Sequence, residues 1–129
     1  MNHRDYFETW LRVCKNISQS GRPVVLFGAG IGVPENMEPC VERRYFSVLH
    51  YLALTCDDKV LADRLRQRPQ WRQSAAEARI KEHLDFNGWF KDNWSKTEPP
   101  LTLLDTTEGS IQDTLVQVAT WIKEQINHV

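Results

Sequence analysis

The sequence predicts an α/β fold built on a parallel sheet, and three observations carry that expectation. Short runs of consecutive apolar residues alternate along the chain with longer stretches of helical periodicity. The apolar runs lack in–out alternation, which suits strands covered on both faces. Glycine or proline punctuates most junctions between the two kinds of segment.

Residues 5–19 form the first predicted helix, with Phe7, Trp10, Leu11, Cys14 and Ile17 on one stripe. Ser20-Gly21 ends it and Pro23 lies just beyond. Val24 to Phe27 is the first predicted strand. It breaks into Gly28-Ala29-Gly30-Ile31-Gly32, followed by a polar, proline-bearing stretch to about Pro39. A second strand is expected from Ser47 to Cys56. The carboxylates of Asp57-Asp58 would cap the next helix, since a carboxylate accepts orphan N–H bonds at a helix start. That helix turns Val60, Leu61 and Leu65 inward and stops at Pro69. A longer helix is predicted from about Ala75 to Trp94, burying Ile80, Leu84, Trp89 and Phe90. After Pro99-Pro100 comes a third strand, Leu101 to Leu104. The last helix, Ser110 to about Asn127, carries Ile111, Leu115, Val118, Ala119, Ile122 and Ile126 on one stripe. Ser110 and Asp113 provide its cap. Three strands are few for such a domain.

Length and composition narrow the function. The 129 residues fit one domain with a real core. The formal net charge of −1 gives no global pull toward nucleic acid or an anionic membrane, so anion binding must rest on a local basic cluster. Cys14, Cys40 and Cys56 form no CxxC pair, and free buried thiols in a reducing cytosol are expected. The polar start Met1-Asn2-His3-Arg4-Asp5 does not read as a signal peptide, and no apolar run approaches the ~20 residues that span a bilayer. A soluble cytoplasmic protein is the expectation. His3, His50, His83 and His128 have no metal-ligand spacing, so no metal site is proposed, and no GxSxG elbow occurs.

Three features can carry chemistry. The loop Gly28 to Gly32 follows a strand, where ligands of parallel sheets bind and glycine lets backbone approach closely. It fails the dinucleotide fingerprint, because Val33-Pro34 stands where the third glycine and helix should be. It fails the phosphate-loop pattern for want of GK[ST]. A tight turn and a substrate loop both remain open. The second feature is Arg64, Arg66, Arg68 and Arg72, with Arg64 and Arg68 one helical turn apart. Clustered guanidinium groups suit phosphate oxygens and stack on bases; they also suit a solvated face paired to acids, Arg66 above all. The third is Asp105-Thr106-Thr107 leaving the last strand. These side chains can bond a base or ribose, or can close an Asx or Ser/Thr turn.

In this order and spacing, the features resemble the P-loop nucleoside and nucleotide kinases. Pro23 to Gly32 looks like the third strand and substrate loop of that family, as in shikimate kinase. His50 to Cys56 with Asp57-Asp58 looks like the fourth strand and the start of the lid helix. Arg64-Leu65-Arg66-Gln67-Arg68 is similar to the RxxxR opening of an adenylate kinase lid, and Leu101 to Thr107 to the fifth strand and its exit. The stretches RPVVLFGAG, ERRYFS, HYLALTCDD, RLRQRPQWR and TLLDTT resemble a group of bacterial nucleoside kinase-like P-loop ATPases. The resemblance covers nearly the whole chain.

It implies a three-layer parallel sheet of the P-loop kinase type, with residues 1–129 as a single partial domain and a lid over about 62–95. It implies ATP and Mg²⁺ as cofactors of the complete form and a nucleotide or small-molecule substrate, with no nucleic-acid or membrane partner. Arg64 would lie over adenine, Arg68 and Arg72 would contact phosphates as catalytic residues, Thr106 and Thr107 would border the base, and Gly28 and Gly30 would shape the acceptor site. The family begins with a strand, a GxxxxGK[ST] loop and its helix, then a second strand, and nothing in this sequence corresponds to them. The expectation is therefore a truncated chain without efficient catalysis. In the family's strand order, 2-3-1-4-5, the loss opens a slot one strand wide in mid-sheet. The slot can close, or another chain can fill it by strand addition, as in a homodimer by strand exchange; the alternative function is a non-catalytic interaction domain that binds a partner through the open slot or through helix 5–19.

Overall fold

The computed structural model describes residues 3–28, 32–69, 71 and 76–127. It is a mixed helix–strand structure with a two-stranded parallel sheet. The chain forms two compact units, residues 1–51 with 97–99, and residues 52–96 with 100–129.

The first unit is built on helix α1 (His3–Ser18), which buries Phe7, Leu11 and Cys14 at helical spacing. Gly21, with φ at +84°, follows its end, a conformation that glycine adopts without a Cβ penalty. A one-turn helix α2 (Pro34–Met37) and a 3-10 helix (Val41–Tyr45) pack against α1. Pro34 stands at the first turn of α2, where its missing N–H costs nothing. The Glu8 carboxylate caps the 3-10 helix, accepting from the Val41 and Glu42 amides at 3.0 and 2.9 Å. Glu42 in turn is held by Arg12 and Lys15 at 3.1 and 3.2 Å. The buried Tyr51 hydroxyl donates to Glu38, which also pairs with Arg43 at 2.6 Å. Burial, then that carboxylate, pushes the Tyr51 phenol above its ordinary range.

The second unit holds the sheet. Strands β1 (Leu52–Thr55) and β2 (Thr102–Asp105) pair in parallel with Leu52 beside Thr102 and Thr55 beside Asp105. Helix α3 (Asp58–Arg66) leaves β1, and helix α4 (Glu77–Asn93) packs on both α3 and β1. Ala62, Leu65 and Ile80 form the α3–α4 core, with Leu61 and Leu84 against it. On β1, Ala53 and Thr55 are buried while Leu54 is half exposed, as the two-residue period requires when α4 covers one face. Helix α5 (Ile111–Asn127) starts with a reciprocal box. The Ser110 amide donates to Asp113 Oδ2 at 2.8 Å, and the Asp113 amide donates to Ser110 Oγ at 3.2 Å.

Several expectations are corrected. Val24 to Phe27 forms no strand: apolar residues supply propensity, but a strand needs a ladder partner. The described sheet pairs only 52–55 with 102–105. Val25 and Leu26 stay exposed, and Phe27 is 79% exposed. The Ser47–Cys56 strand shortens to the four residues that β2 can pair. Asp57 occupies the N-cap of α3 yet makes no side-chain cap bond, and the Asp58 carboxylate is engaged by α4 instead. On α4, Ile80 is buried but Leu84, Trp89 and Phe90 are only partly so. The three cysteines are free and buried, as the spacing suggested. Among the described residues no helix is long and apolar enough to cross a membrane.

Candidate functional site

The carboxyl ends of β1 and β2 lie side by side, so the β1–α3 and β2–α5 turns meet there. Three sets of bonds join them. Backbone and side chain of Thr106 both donate to the Thr55 carbonyl, at 2.7 and 3.1 Å. The Asp57 amide donates to Thr107 Oγ1 at 2.8 Å. Arg64, in the second turn of α3, reaches across to donate to Thr106 Oγ1 at 3.1 Å and to the Thr106 carbonyl at 2.6 Å.

Asp105 closes the turn. Its Oδ1 accepts from the Thr107 hydroxyl at 2.6 Å and from the Thr107 amide at 2.9 Å. Those two bonds, hydroxyl first, hold the Asp105 carboxyl below its ordinary range. The Asx-turn alternative is thus realised in geometry. Because the Thr106 and Thr107 hydroxyls serve the turns, a base beside them meets side-chain surface and not free donors.

The same bonds fix Arg64 by the terminal nitrogens of its guanidinium. Two contacts at that edge hold the group while Arg64 stays exposed. A planar cation gripped at its edge can offer its flat side to an aromatic base.

A residue with no signature in the sequence supports the site from below. Asn87, in mid-α4, is 5% exposed. Its Oδ1 accepts from the Cys56 amide at 3.2 Å. Its Nδ2 donates to the Cys56 carbonyl at 2.7 Å and to Asp58 Oδ1 at 2.9 Å. The side chain thereby holds the end of β1 and the start of α3 at once. Three polar bonds from one buried amide use most of its capacity.

The other expected residues fall elsewhere. Arg66 is paired with Glu77 at 3.2 Å and with Asp63 at 3.9 Å, the acid-paired face considered for this helix. Arg68 follows the end of α3 and is exposed; no ion pair to it occurs among the described residues. Gly28 belongs to the first unit, and a Cβ there would meet nothing within 4 Å, so its backbone does not demand glycine. Gly30 and Arg72 lie outside the described residues. Among the described residues no group of three or more His, Cys, Asp or Glu side chains could hold a metal ion. Comparisons with protein-family models, with curated proteins and with solved structures find no match.

Proposed function

We propose that the chain is the base-binding part of a kinase-like α/β domain of the P-loop type. The complete form would transfer the γ-phosphate of ATP to a nucleoside, nucleotide or similar small hydroxyl substrate. The observation that carries this reading is the Arg64–Thr106 clamp at the carboxyl ends of two parallel strands, which leaves an exposed guanidinium where ligands of such sheets bind. In this reading Arg64 stacks on the base, Thr106 and Thr107 border it, and Arg68 and Arg72 reach toward phosphates.

ATP would supply the transferable phosphoryl group, and Mg²⁺ would offset phosphate charge. The fit to them is partial. The base side has its arginine and its turn. The phosphate side has no GxxxxGK[ST] loop in the sequence and no carboxylate cluster among the described residues. The chain alone therefore holds nucleotide weakly and does not turn it over. Base stacking contributes about 1–3 kcal/mol, and with a phosphate contact the dissociation constant with Mg·ATP falls at about 1 mM. Calorimetry should give that value and Arg64→Ala should weaken it at least five-fold. Micromolar affinity with turnover would overturn the partial fit; no binding at about 10 mM would remove the nucleotide reading.

A second reading, a non-catalytic domain that binds a partner by strand addition, is favoured by the exposure of Val25, Leu26 and Phe27 and by the two-stranded sheet. An exposed apolar segment without a ladder partner among the described residues offers a place for such a contact.

A further inference from the structure

Helix α4 carries one stripe inward. Ile80, Leu84 and Asn87 fall at i, i+4 and i+7; Ile80 packs with Leu65 of α3, and Leu84 lies against that pair. Asn87 is the third member, a buried amide where an apolar side chain would continue the stripe. Burying an amide is unfavourable unless its bonds are made. Here all three go to one place, the junction between β1 and α3.

The junction passes that restraint along. Asn87 holds both backbone polar groups of Cys56 and the Asp58 carboxylate, and so grips the chain on either side of Asp57. The Asp57 amide donates to Thr107 Oγ1, and that hydroxyl donates to Asp105. Helix α3 leaves from here, and Arg64 lies six residues beyond Asp58, about 9 Å along the axis. A tilt of about 10° at the helix start moves that point by roughly 1.5 Å. The Arg64 bonds to Thr106, at 3.1 and 2.6 Å, do not survive stretching by that amount. Apolar packing of Leu65 on Ile80 is non-directional and does not by itself fix the tilt, whereas the Asn87 bonds are directional.

We infer that Asn87 is a positioning residue for the Arg64 guanidinium. Among the described residues its bonds go to Cys56 and Asp58, and none goes to Arg64 or Thr106. It acts through the β1–α3 junction, which sets where α3 carries Arg64 relative to Thr106. The consequence for ligand affinity rests on the proposed nucleotide site, whereas the consequence for Arg64 belongs to the free chain. A loosened Arg64 keeps its whole stacking surface, so affinity falls by the cost of ordering it and is not abolished.

Nuclear magnetic resonance of the ¹³C,¹⁵N-labelled full chain tests this, first without ligand. In the parent, the two bonds to Thr106 hinder rotation of the Arg64 guanidinium, so its Nη protons should give separate signals in the cold. Asn87→Ala should merge them. Ile80→Val trims the same stripe without touching the junction and should leave them separate. Thr107→Val cuts the next link, the exposed Asp57 bond, and should also merge them, whether or not the Asn87 variant folds. Because both changes act through one junction, the double variant should loosen Arg64 no further than Asn87→Ala alone. Titration with Mg·ATP should then show a dissociation constant raised roughly three- to five-fold in Asn87→Ala and unchanged in Ile80→Val. Separate Arg64 signals in Asn87→Ala or in Thr107→Val overturn the inference. So do signals merged in the parent or in Ile80→Val, since loosening would then be general. If the parent binds no nucleotide at about 10 mM, the base-site reading fails, and the Arg64 signals by themselves decide whether Asn87 positions that residue.

Discussion

Asn87→Ala should be among the most damaging single changes in the second unit, although nothing in the sequence marks the position. The substitution removes three hydrogen bonds, two of them to the backbone of Cys56, itself 4% exposed. A buried amide or carbonyl left without a partner costs about 1–3 kcal/mol. Two such groups set an upper range near 6 kcal/mol, and water entering beside the exposed Asp58 lowers it to about 2–4 kcal/mol. That is a large share of the roughly 5–15 kcal/mol that stabilises a domain. With a urea m-value of about 1.5 kcal/mol/M, the midpoint should fall by roughly 1–3 M. Asn93→Ala is the internal control. The Asn93 side chain bonds the Trp89 carbonyl of its own helix, and its loss should cost below about 1 kcal/mol. Hydrogen exchange should show the Cys56 amide opening in the Asn87 variant ahead of the α3–α4 core. A loss under about 0.5 kcal/mol, equal to that of Asn93→Ala, would refute the idea that α4 fixes the β1–α3 turn.

Two further outcomes follow from local geometry. Ser110→Ala breaks the reciprocal cap of α5 and should lower stability by about 1 kcal/mol in urea titration, with fraying confined to the first turn. In the first unit, the Glu8 carboxyl is held below its ordinary value mainly by the Glu42 amide, against the opposing effect of burial, with Val41 and Arg4 adding to the lowering. A lowered folded value means that the stabilisation is present above the unfolded carboxylate range and is lost as pH falls through the folded value. Glu8→Gln should therefore be less stable than the parent at pH 7. Its thermal midpoint should decline less steeply below about pH 4, so that the two curves converge in acid.

What the sequence revealed depended on whether a signal was local. The α1 stripe, the α5 box Ser110–Asp113 and the stop of α3 before Pro69 are written within one or two turns. The box and the stop stand close to where they are expected, and the stripe holds for Phe7, Leu11 and Cys14, while Trp10 and Ile17 stay exposed. The strands were less legible because a strand is a property of a pair. Residues 47–51 and Val24 to Phe27 have the composition of strands, but only Leu52 to Thr55 has a described partner. The start of α2 was readable after the fact, since Pro34-Glu35 places proline and an acid in a first turn. At the candidate site, Arg64, Thr106 and Thr107 were named from the chain and do converge. What stayed hidden was which bonds they would spend on one another. Asn87 was invisible because a polar residue in a helix carries no periodic signal, and its partners are about thirty positions away.

The proposed base site is tested most directly by amide chemical-shift mapping of the ¹⁵N-labelled chain during titration with Mg·ATP. The expected result is a saturable set of shifts at Asp57, Thr106 and Thr107 and at Arg64 Nε, approaching half-saturation near about 1 mM, with the backbone shifts moved to at least five-fold higher nucleotide in Arg64→Ala. Shifts confined to α1 and the 3-10 helix, or no shifts at about 10 mM nucleotide, would contradict it.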